Sequence, residues 1–494
     1  MPYILSLDEG TTSARAALYD AEGRRGAMES REFPSRFPQP GWVEQDALEI
    51  WQAQLDATRR TLASGGIAAS GIAAIGITNQ RETTVVWDRH TGQPVAPAIV
   101  WQCRRTAGFC QQLAASPQGA TITAKTGLVI DAYFSGSKIA WILENVEGAR
   151  GRARNGDVLF GNIDTWLIWK LTGGRVHVTD PSNASRTMLM NLASGDWDSD
   201  LLSLFEIPAS MMPRIAGSSA VVGMASADVL GAEIPIAGIA GDQQAALVGQ
   251  ACFRAGLSKN TYGTGCFALL HTGSTMPVSK HKLLATRAAS PTSRAQFAVE
   301  GSVFVAGAAV QWLRDELGII KTAAESEAIA SSVPDTAGVY VVPAFVGLGA
   351  PHWDANARGI ISGLTRGTGS AHIVRATLES IAYQTRELVE AMEADSGEPL
   401  KELRVDGGAT ANNFLMQFQA DILGRRIVRP ADIETTALGA AYLAGLATGF
   451  WKSVEEVEGF WRIERAYEPD LGEGQREDLY RGWKTAVARC RLSG

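Results

Sequence analysis

Near the N-terminus, apolar runs alternate with short polar turns, and the spacing inside each run predicts its conformation. Tyr3-Ile4-Leu5-Ser6-Leu7-Asp8 reads as a strand ending in an acid. Glu9-Gly10-Thr11-Thr12-Ser13 follows as a turn of small hydroxyl residues, with residues 14–19 as a returning strand and residues 26–33 as a third. Asp46 and Glu49 have the spacing of a helix N-cap and its reciprocal partner. Leu48, Trp51, Leu55, Thr58 and Leu62 then recur at spacings of three and four, which predicts an amphipathic helix closed by Gly65-Gly66. Residues 72–78 read as a buried strand and residues 83–87 as another.

After Gly249 the same layout returns. Residues 257–262 read as a strand, Gly263-Thr264-Gly265 as a small-residue loop, and residues 266–270 and 296–300 as two more strands. The letters differ but the order matches, which predicts two related halves with a cleft between them, each presenting a hairpin loop to it. Val310, Leu313 and Leu317 mark a helix, and Val374, Leu378, Ile381, Thr385, Leu388 and Met392 a long one. Residues 402–406 read as a strand, Gly407-Gly408 as a turn, and Leu415, Phe418 and Ile422 as a further helix. Residues 436–448 form a small-residue helix that lets backbones pack closely, and the charged, aromatic tail from Trp451 is expected to wrap the second half. The stretch 148–231 is mixed in pattern.

At 494 residues the chain has room for two or three domains. Its 46% apolar and 20% charged residues exclude a long disordered chain or a fibrous repeat. Lys plus Arg (45) against Asp plus Glu (52) gives a net charge of −7 with no basic block, which disfavours a nucleic-acid partner. No apolar run approaches the roughly 18 residues of a membrane span; residues 338–351 come nearest and are broken by Pro343, Gly347 and Gly349. The N-terminus has no basic lead, so no signal peptide is expected. Five cysteines, odd in number and without a C-x-x-C pair, point to a reducing cytoplasm and away from disulfides and zinc.

Five segments could carry chemistry. In Asp8-Glu9-Gly10-Thr11-Thr12-Ser13 the acid at a strand end can hold a hydrated Mg²⁺, and backbone N–H groups and hydroxyls can donate to phosphate; a polar hairpin turn accounts for the same letters. Gly263-Thr264-Gly265 sits in the equivalent place of the second half. It opens a loose G-x-G-x-x-A, but it runs into a strand and not the helix that a dinucleotide site needs. Gly241-Asp242-Gln243-Gln244 follows the apolar run 234–240. Asp242 can take a proton from a substrate hydroxyl there, or cap a helix, and the two roles are compatible. Asn79-Gln80-Arg81-Glu82 offers donors and an acceptor to vicinal hydroxyls, although a solvated surface ion pair is commoner. Gly407-Gly408-Ala409-Thr410-Ala411-Asn412, between a strand and a helix, suits close approach of a nucleotide to a helix N-terminus, or is a simple connection. There is no P-loop, no G-x-S-x-G and no protein-kinase H-R-D and D-F-G pair.

Together these segments resemble the FGGY carbohydrate kinases, over nearly the whole chain from Ile4 to at least Gly449. Tyr133-Phe134-Ser135-Gly136-Ser137-Lys138-Ile139-Ala140-Trp141 is similar to one family signature. The stretch from Gly359-Ile360-Ile361-Ser362-Gly363-Leu364 to Ala376-Thr377-Leu378-Glu379 is similar to the other. Gln80-Arg81-Glu82-Thr83-Thr84, Trp101-Gln102-Cys103-Arg104-Arg105, Gly241-Asp242-Gln243-Gln244-Ala245-Ala246-Leu247 and residues 408–419 resemble the members that phosphorylate glycerol more than the pentose kinases.

The resemblance implies an α/β fold of two ribonuclease H-like domains, of the actin/Hsp70 ATPase type, with a catalytic cleft between them. Residues 1–250 would bind glycerol and phosphate, and residues 251–494 the nucleotide. It implies Mg²⁺-dependent transfer of the ATP γ-phosphate to glycerol, giving sn-glycerol 3-phosphate and ADP in glycerol catabolism, with Asp242 as general base and Arg81 beside it. Matched residue by residue, glycerol would meet Arg81, Glu82, Tyr133, Asp242 and Gln243, with Trp101 and Phe267 as an apolar wall. The nucleotide would meet Thr11, Thr12, Ser13, Thr264, Gly307, Gln311, Gly408 and Asn412, with Arg15 near the phosphates and Asp8 and Asp242 placing Mg²⁺. The implied molecule is cytoplasmic, a homodimer or homotetramer. A kinase for a longer polyol or ketose, and an ATPase without an acceptor, are the competing readings. Glu9 departs from the family's usual Gln; its charge either weakens nucleotide binding or turns to solvent. Glu233 and Asp228 stand where other members carry an arginine that binds fructose 1,6-bisphosphate and a phosphorylatable histidine, so neither regulation is expected.

Overall fold

Strand Tyr3–Glu9 pairs antiparallel with Ser13–Tyr19, which pairs antiparallel with Arg25–Glu32. Its other edge takes Ile72–Asn79 in parallel, Ile234–Gly241 continues in parallel, and Ser219–Ala225 closes a six-stranded sheet. The structure is a computed structural model describing residues 2–354 and 356–492. Strands Tyr3–Glu9, Ile72–Asn79 and Ile234–Gly241 are buried almost throughout because helices cover both sides. Arg25–Glu32 has only alternate residues partly buried, the period-2 mark of a strand with one wet face.

The predicted repeat is present. Leu257–Tyr262 pairs antiparallel with Cys266–Gly273, which pairs with Phe297–Val303, while the other edge of Leu257–Tyr262 takes Glu402–Asp406 in parallel. Ile427–Pro430, Ile463–Tyr467 and Leu284–Arg287 complete seven strands. The mixed stretch folds onto strands Val85–Asp88 and Val158–Gly161, around Val86, Phe134, Ile139, Phe160 and Leu189.

Three expectations need correction. Asp46 caps helix Ala47–Ser64 by accepting from Leu48 N at 2.8 Å, but Glu49 does not complete a capping box, because its carboxylate pairs with Arg36 at 2.6 Å. Helix Gly307–Asp315 stops short of Leu317, which is exposed. The tail divides. Helix Glu473–Leu492 sends Tyr480, Trp483 and Val487 into the second core, whereas Trp451 turns back to the first half and donates from Nε1 to Ala21 O at 2.9 Å.

Helix Thr435–Thr448 ties the halves together. It lies in sequence between strands Ile427–Pro430 and Ile463–Tyr467 of the second sheet but packs on the first, across Tyr3–Glu9, Ile72–Asn79 and Ile234–Gly241, and against helix Asp242–Gly249. The two helices touch backbone to backbone. A Cβ on Gly439 would sit 1.8 Å from Ala245 O, and one on Gly249 1.9 Å from Thr435 O. Ser6 Oγ donates to Ala437 O at 2.7 Å on the same face. Adding one methyl group at Gly439 cannot be absorbed by a side-chain movement, so Gly439→Ala should destabilise by about 3 kcal/mol or more. The check is the thermal midpoint against wild type; an unchanged midpoint would contradict the backbone contact.

Candidate active site

The residues that could bind an alcohol come together. Arg81 and Glu82 lie in the turn after Ile72–Asn79, and Asp242 opens helix Asp242–Gly249 at the end of the neighbouring parallel strand. Tyr133 precedes helix Ser135–Asn145, and Phe267 lies on Cys266–Gly273 of the second half. With Thr11, Trp101 and Gln243 they line one cavity of about 130 Å³ between the halves. A water needs about 10–15 Å³ of such space, so the cavity takes about ten waters at most or one small polyol. Arg81 and Glu82 are buried, which corrects the reading of a solvated surface pair.

Arg81 Nε lies 3.0 Å from Asp242 Oδ1 without a hydrogen bond between them. Gly241 is the N-cap, so Asp242 is the first residue of its helix, and its Oδ1 accepts from Gln243 N at 2.8 Å. Its side chain is 31% exposed, the most open of the charged groups around the cavity's polar end. Trp101 and Tyr133 meet edge to face at 5.6 Å, and Trp101 Nε1 donates to Thr11 Oγ1 at 2.9 Å.

Four groups to which the sequence assigned no role of their own hold this arrangement: Glu300, Arg186 and Lys259, which lay outside the candidate segments, and Gln244, which lay within one. Glu300 takes Arg81 Nη1 at 2.5 Å and Nη2 at 2.9 Å, and Arg186 Nε donates to Glu82 Oε1 at 2.6 Å. Burial opposes ionisation of Glu300, but Arg186 and Arg81 outweigh it and hold the carboxyl at about 2. Lys259, buried on Leu257–Tyr262, donates to Gln243 Oε1, Thr261 Oγ1 and Phe267 O; burial lowers it to about 8. Gln244 Oε1 accepts from Arg81 Nη1 at 3.2 Å. The one available signal was a charged residue inside an otherwise well-formed strand, at Lys259 and at Glu300.

The phosphate and nucleotide candidates cluster at the mouths of the two sheets. Thr11, Thr12 and Ser13 form the first hairpin turn, closed by Gly10 N donating to Ser13 O at 3.0 Å. In the second half, Thr264 O accepts from Ala306 N and Ala308 N, and Gly263 O from Gly307 N, so the hairpin loop is fastened to the start of helix Gly307–Asp315, which carries Gln311. Gly407, with φ +89°, lies against the backbone of Tyr262 and leads into Gly408 and the N-cap Asn412. Asn412 Oδ1 accepts from Leu415 N and its Nδ2 donates to Ser326. Thr12, Thr264, Gln311 and Gly408 are exposed. Asp8 is buried; burial raises its pKa to about 6, with Arg15 3.8 Å away opposing and Glu434 and Asp242 adding to the rise. Arg15 Nη1 also pairs with Glu434 at 3.0 Å.

Family models described as the N-terminal and C-terminal domains of the FGGY family of carbohydrate kinases match residues 3–249 and 258–448. The chain belongs to this family. It is 60% identical to glycerol kinase of Caldanaerobacter subterraneus subsp. tengcongensis, over 99% of this chain and 98% of the relative. It is 59% identical to glycerol kinase 2 of Thermotoga maritima, over 99% of each. Its fold is similar to the crystal structure of Plasmodium falciparum glycerol kinase with ADP, with a TM-score of 0.94 and 36% identity over 99% of this chain and 98% of that one.

The first FGGY signature segment has a physical role here. Glu82 has φ +64°, a left-handed backbone that a non-glycine residue adopts only when its surroundings impose it. Ser135 Oγ at 3.2 Å and Lys138 Nζ at 3.0 Å both donate to Glu82 O, and Lys138 also donates to Tyr133 O at 2.6 Å. The signature thus clamps the turn that presents Arg81 and Glu82. The second signature does not line the cavity; its Ala376, Thr377, Leu378 and Glu379 are buried in helix Ser370–Ser396.

Glu9 does not turn to solvent. It is fully buried, and neither carboxylate oxygen meets a well-aligned hydrogen-bond donor among the described residues. Burial first, then the neighbouring Asp8, raises its pKa well above the ordinary 4.5, which favours the neutral carboxyl in the fold. A carboxyl that is neutral when folded and ionised when unfolded costs stability as pH rises above about 4.5. Glu9→Gln should therefore raise the thermal midpoint, by a margin that grows between pH 5 and pH 8. A margin that stays flat or shrinks over that range would contradict a neutral Glu9.

Proposed function

We propose that this chain transfers the γ-phosphate of ATP to glycerol, giving sn-glycerol 3-phosphate and ADP. The observation that carries the reading is the convergence of Arg81, Glu82 and Asp242 on one cavity of small-polyol size at the mouth of a cleft that carries two hairpin loops. Arg81 supplies donors and Glu82 an acceptor to neighbouring hydroxyls, Gln243 adds an amide, and Trp101, Tyr133 and Phe267 enclose the carbon chain. This apolar wall and the small volume argue for a three-carbon acceptor over a longer sugar. An ATPase without an acceptor has no use for a buried Arg–Glu pair beside such a cavity.

Asp242 Oδ1 is occupied by Gln243 N, and Oδ2 meets only Gln243 Nε2, at 3.3 Å. Oδ2 is the atom free to accept the hydroxyl proton as the oxygen attacks. Phosphoryl transfer asks for alignment and charge compensation more than covalent help. In this reading Thr11, Thr12, Ser13 and Thr264 donate to the phosphates from opposite sides. Gly307, Gln311, Gly408 and Asn412 receive the nucleoside, and Arg15 steadies the phosphates. Residues 1–250 serve the acceptor and phosphates, and residues 251–494 the nucleotide. Asp8 and Asp242 fit Mg²⁺, which usually takes one or two carboxylates with waters and phosphate oxygens; the negative neighbours that help raise Asp8 mark a place short of positive charge. Bound there, the ion would offset the negative charge of the phosphates. We also expect a cytoplasmic homodimer or homotetramer without fructose 1,6-bisphosphate inhibition.

Asp242→Asn should lower glycerol-dependent ADP release by about 10²–10⁴ and leave ADP affinity within about twofold. Near-normal turnover in a coupled assay would remove the general-base assignment.

A further inference from the structure

The cavity's polar end is built from both halves. Glu300 lies on Phe297–Val303 of the second half, yet its carboxylate grips both Nη atoms of Arg81, and Arg186 Nη2 approaches it at 3.3 Å. Both arginines belong to the first half, and Arg186 passes on to Glu82. Two positive and two negative side chains therefore alternate, all of them buried. Glu300 does not line the cavity, so any effect it has on an acceptor passes through Arg81. A guanidinium is planar and rigid, and fixing both Nη atoms fixes the direction of Nε–H. That Nε has no hydrogen-bond partner, although Asp242 Oδ1 is 3.0 Å away.

Resting on the function proposed above, we infer that Glu300 is a positioning residue: through it the second half reaches across the cleft and aims Arg81 at the acceptor alcohol. The acceptor grip is then complete only when the halves are together. Arg186 bridges Glu300 and Glu82, and Gln244 holds Arg81 from the first half. A neutral amide at position 300 would present N–H to a guanidinium and leave two buried arginines facing one carboxylate.

The test compares wild type, Glu300→Gln and Glu300→Asp in a coupled ADP assay with varied glycerol, alongside calorimetric titration with ADP alone. Glu300→Gln should raise KM for glycerol about tenfold or more and lower kcat, with ADP affinity within about twofold. Glu300→Asp keeps the charge balance, and so folds even if the amide does not, but its shorter arm cannot grip both Nη atoms; its KM should fall between the other two. A wild-type glycerol KM in either folded variant, or equal losses for glycerol and ADP, would overturn the positioning role while leaving the function standing. Failure of both variants to fold would make Glu300 purely structural and overturn it too. A wild type inert toward glycerol would overturn the function and this inference together.

Discussion

The backbone contact between helices Thr435–Thr448 and Asp242–Gly249 is the constraint on which the site depends. Side chains there would hold the helices apart, because Gly249 and Gly439 have no room for a Cβ. The contact does three things at once. It sets the start of the helix that carries Asp242. It seats the other helix on the strand that carries Asp8, through Ser6 and Ala437. It brings Thr435 to Asp406, whose carboxylate also takes Gln250 Nε2 at 2.7 Å, so the end of the second sheet is tied to the same point. Packing at one place thereby fixes carboxylates on three strands or helices relative to each other.

Charge is handled differently in the two regions of the cleft. At the acceptor end, buried arginines and glutamates balance one another, and removing one partner of such a group is far more costly than its net contribution to stability. At the phosphate end, carboxylates outnumber their cations: Asp8 and Glu434 share Arg15, and Asp242 adds its charge to the field at Asp8. The first region is complete as folded. The second is left favouring a positive ligand, and that division matches an acceptor that is neutral and a donor that arrives with its own metal.

Much of this was legible in the sequence because strands and turns obey local rules. The hairpin of Tyr3–Glu9 and Ser13–Tyr19, its counterpart at Leu257–Tyr262, and the close-packing helix near the C-terminus all followed from spacing and small residues. All seven residues matched to an acceptor site line one cavity; the pattern placed Arg81, Glu82, Asp242, Gln243 and Phe267 near strand ends or a helix start, whereas Trp101 and Tyr133 came from the resemblance alone. Glu300 and Arg186 were not legible. Their partners are 219 and 104 residues away in sequence, and nothing local signals a pairing set by how two sheets meet. Glu49 misled for a related reason: its capping spacing was right, but Arg36 offered a charged partner and a stronger bond. Glu9 misled because a letter was read as a charge, whereas burial decides whether the proton stays.

In the proposed reading, the bond from Trp101 to Thr11 joins the wall of the alcohol chamber to the turn that would cradle phosphate. Selectivity and triphosphate grip are therefore not independent traits in this molecule. Trimming the indole to admit a bulkier sugar also strips the threonine hydroxyl of its lateral brace, so broadening the menu and keeping the donor seated are opposing demands on a single side chain.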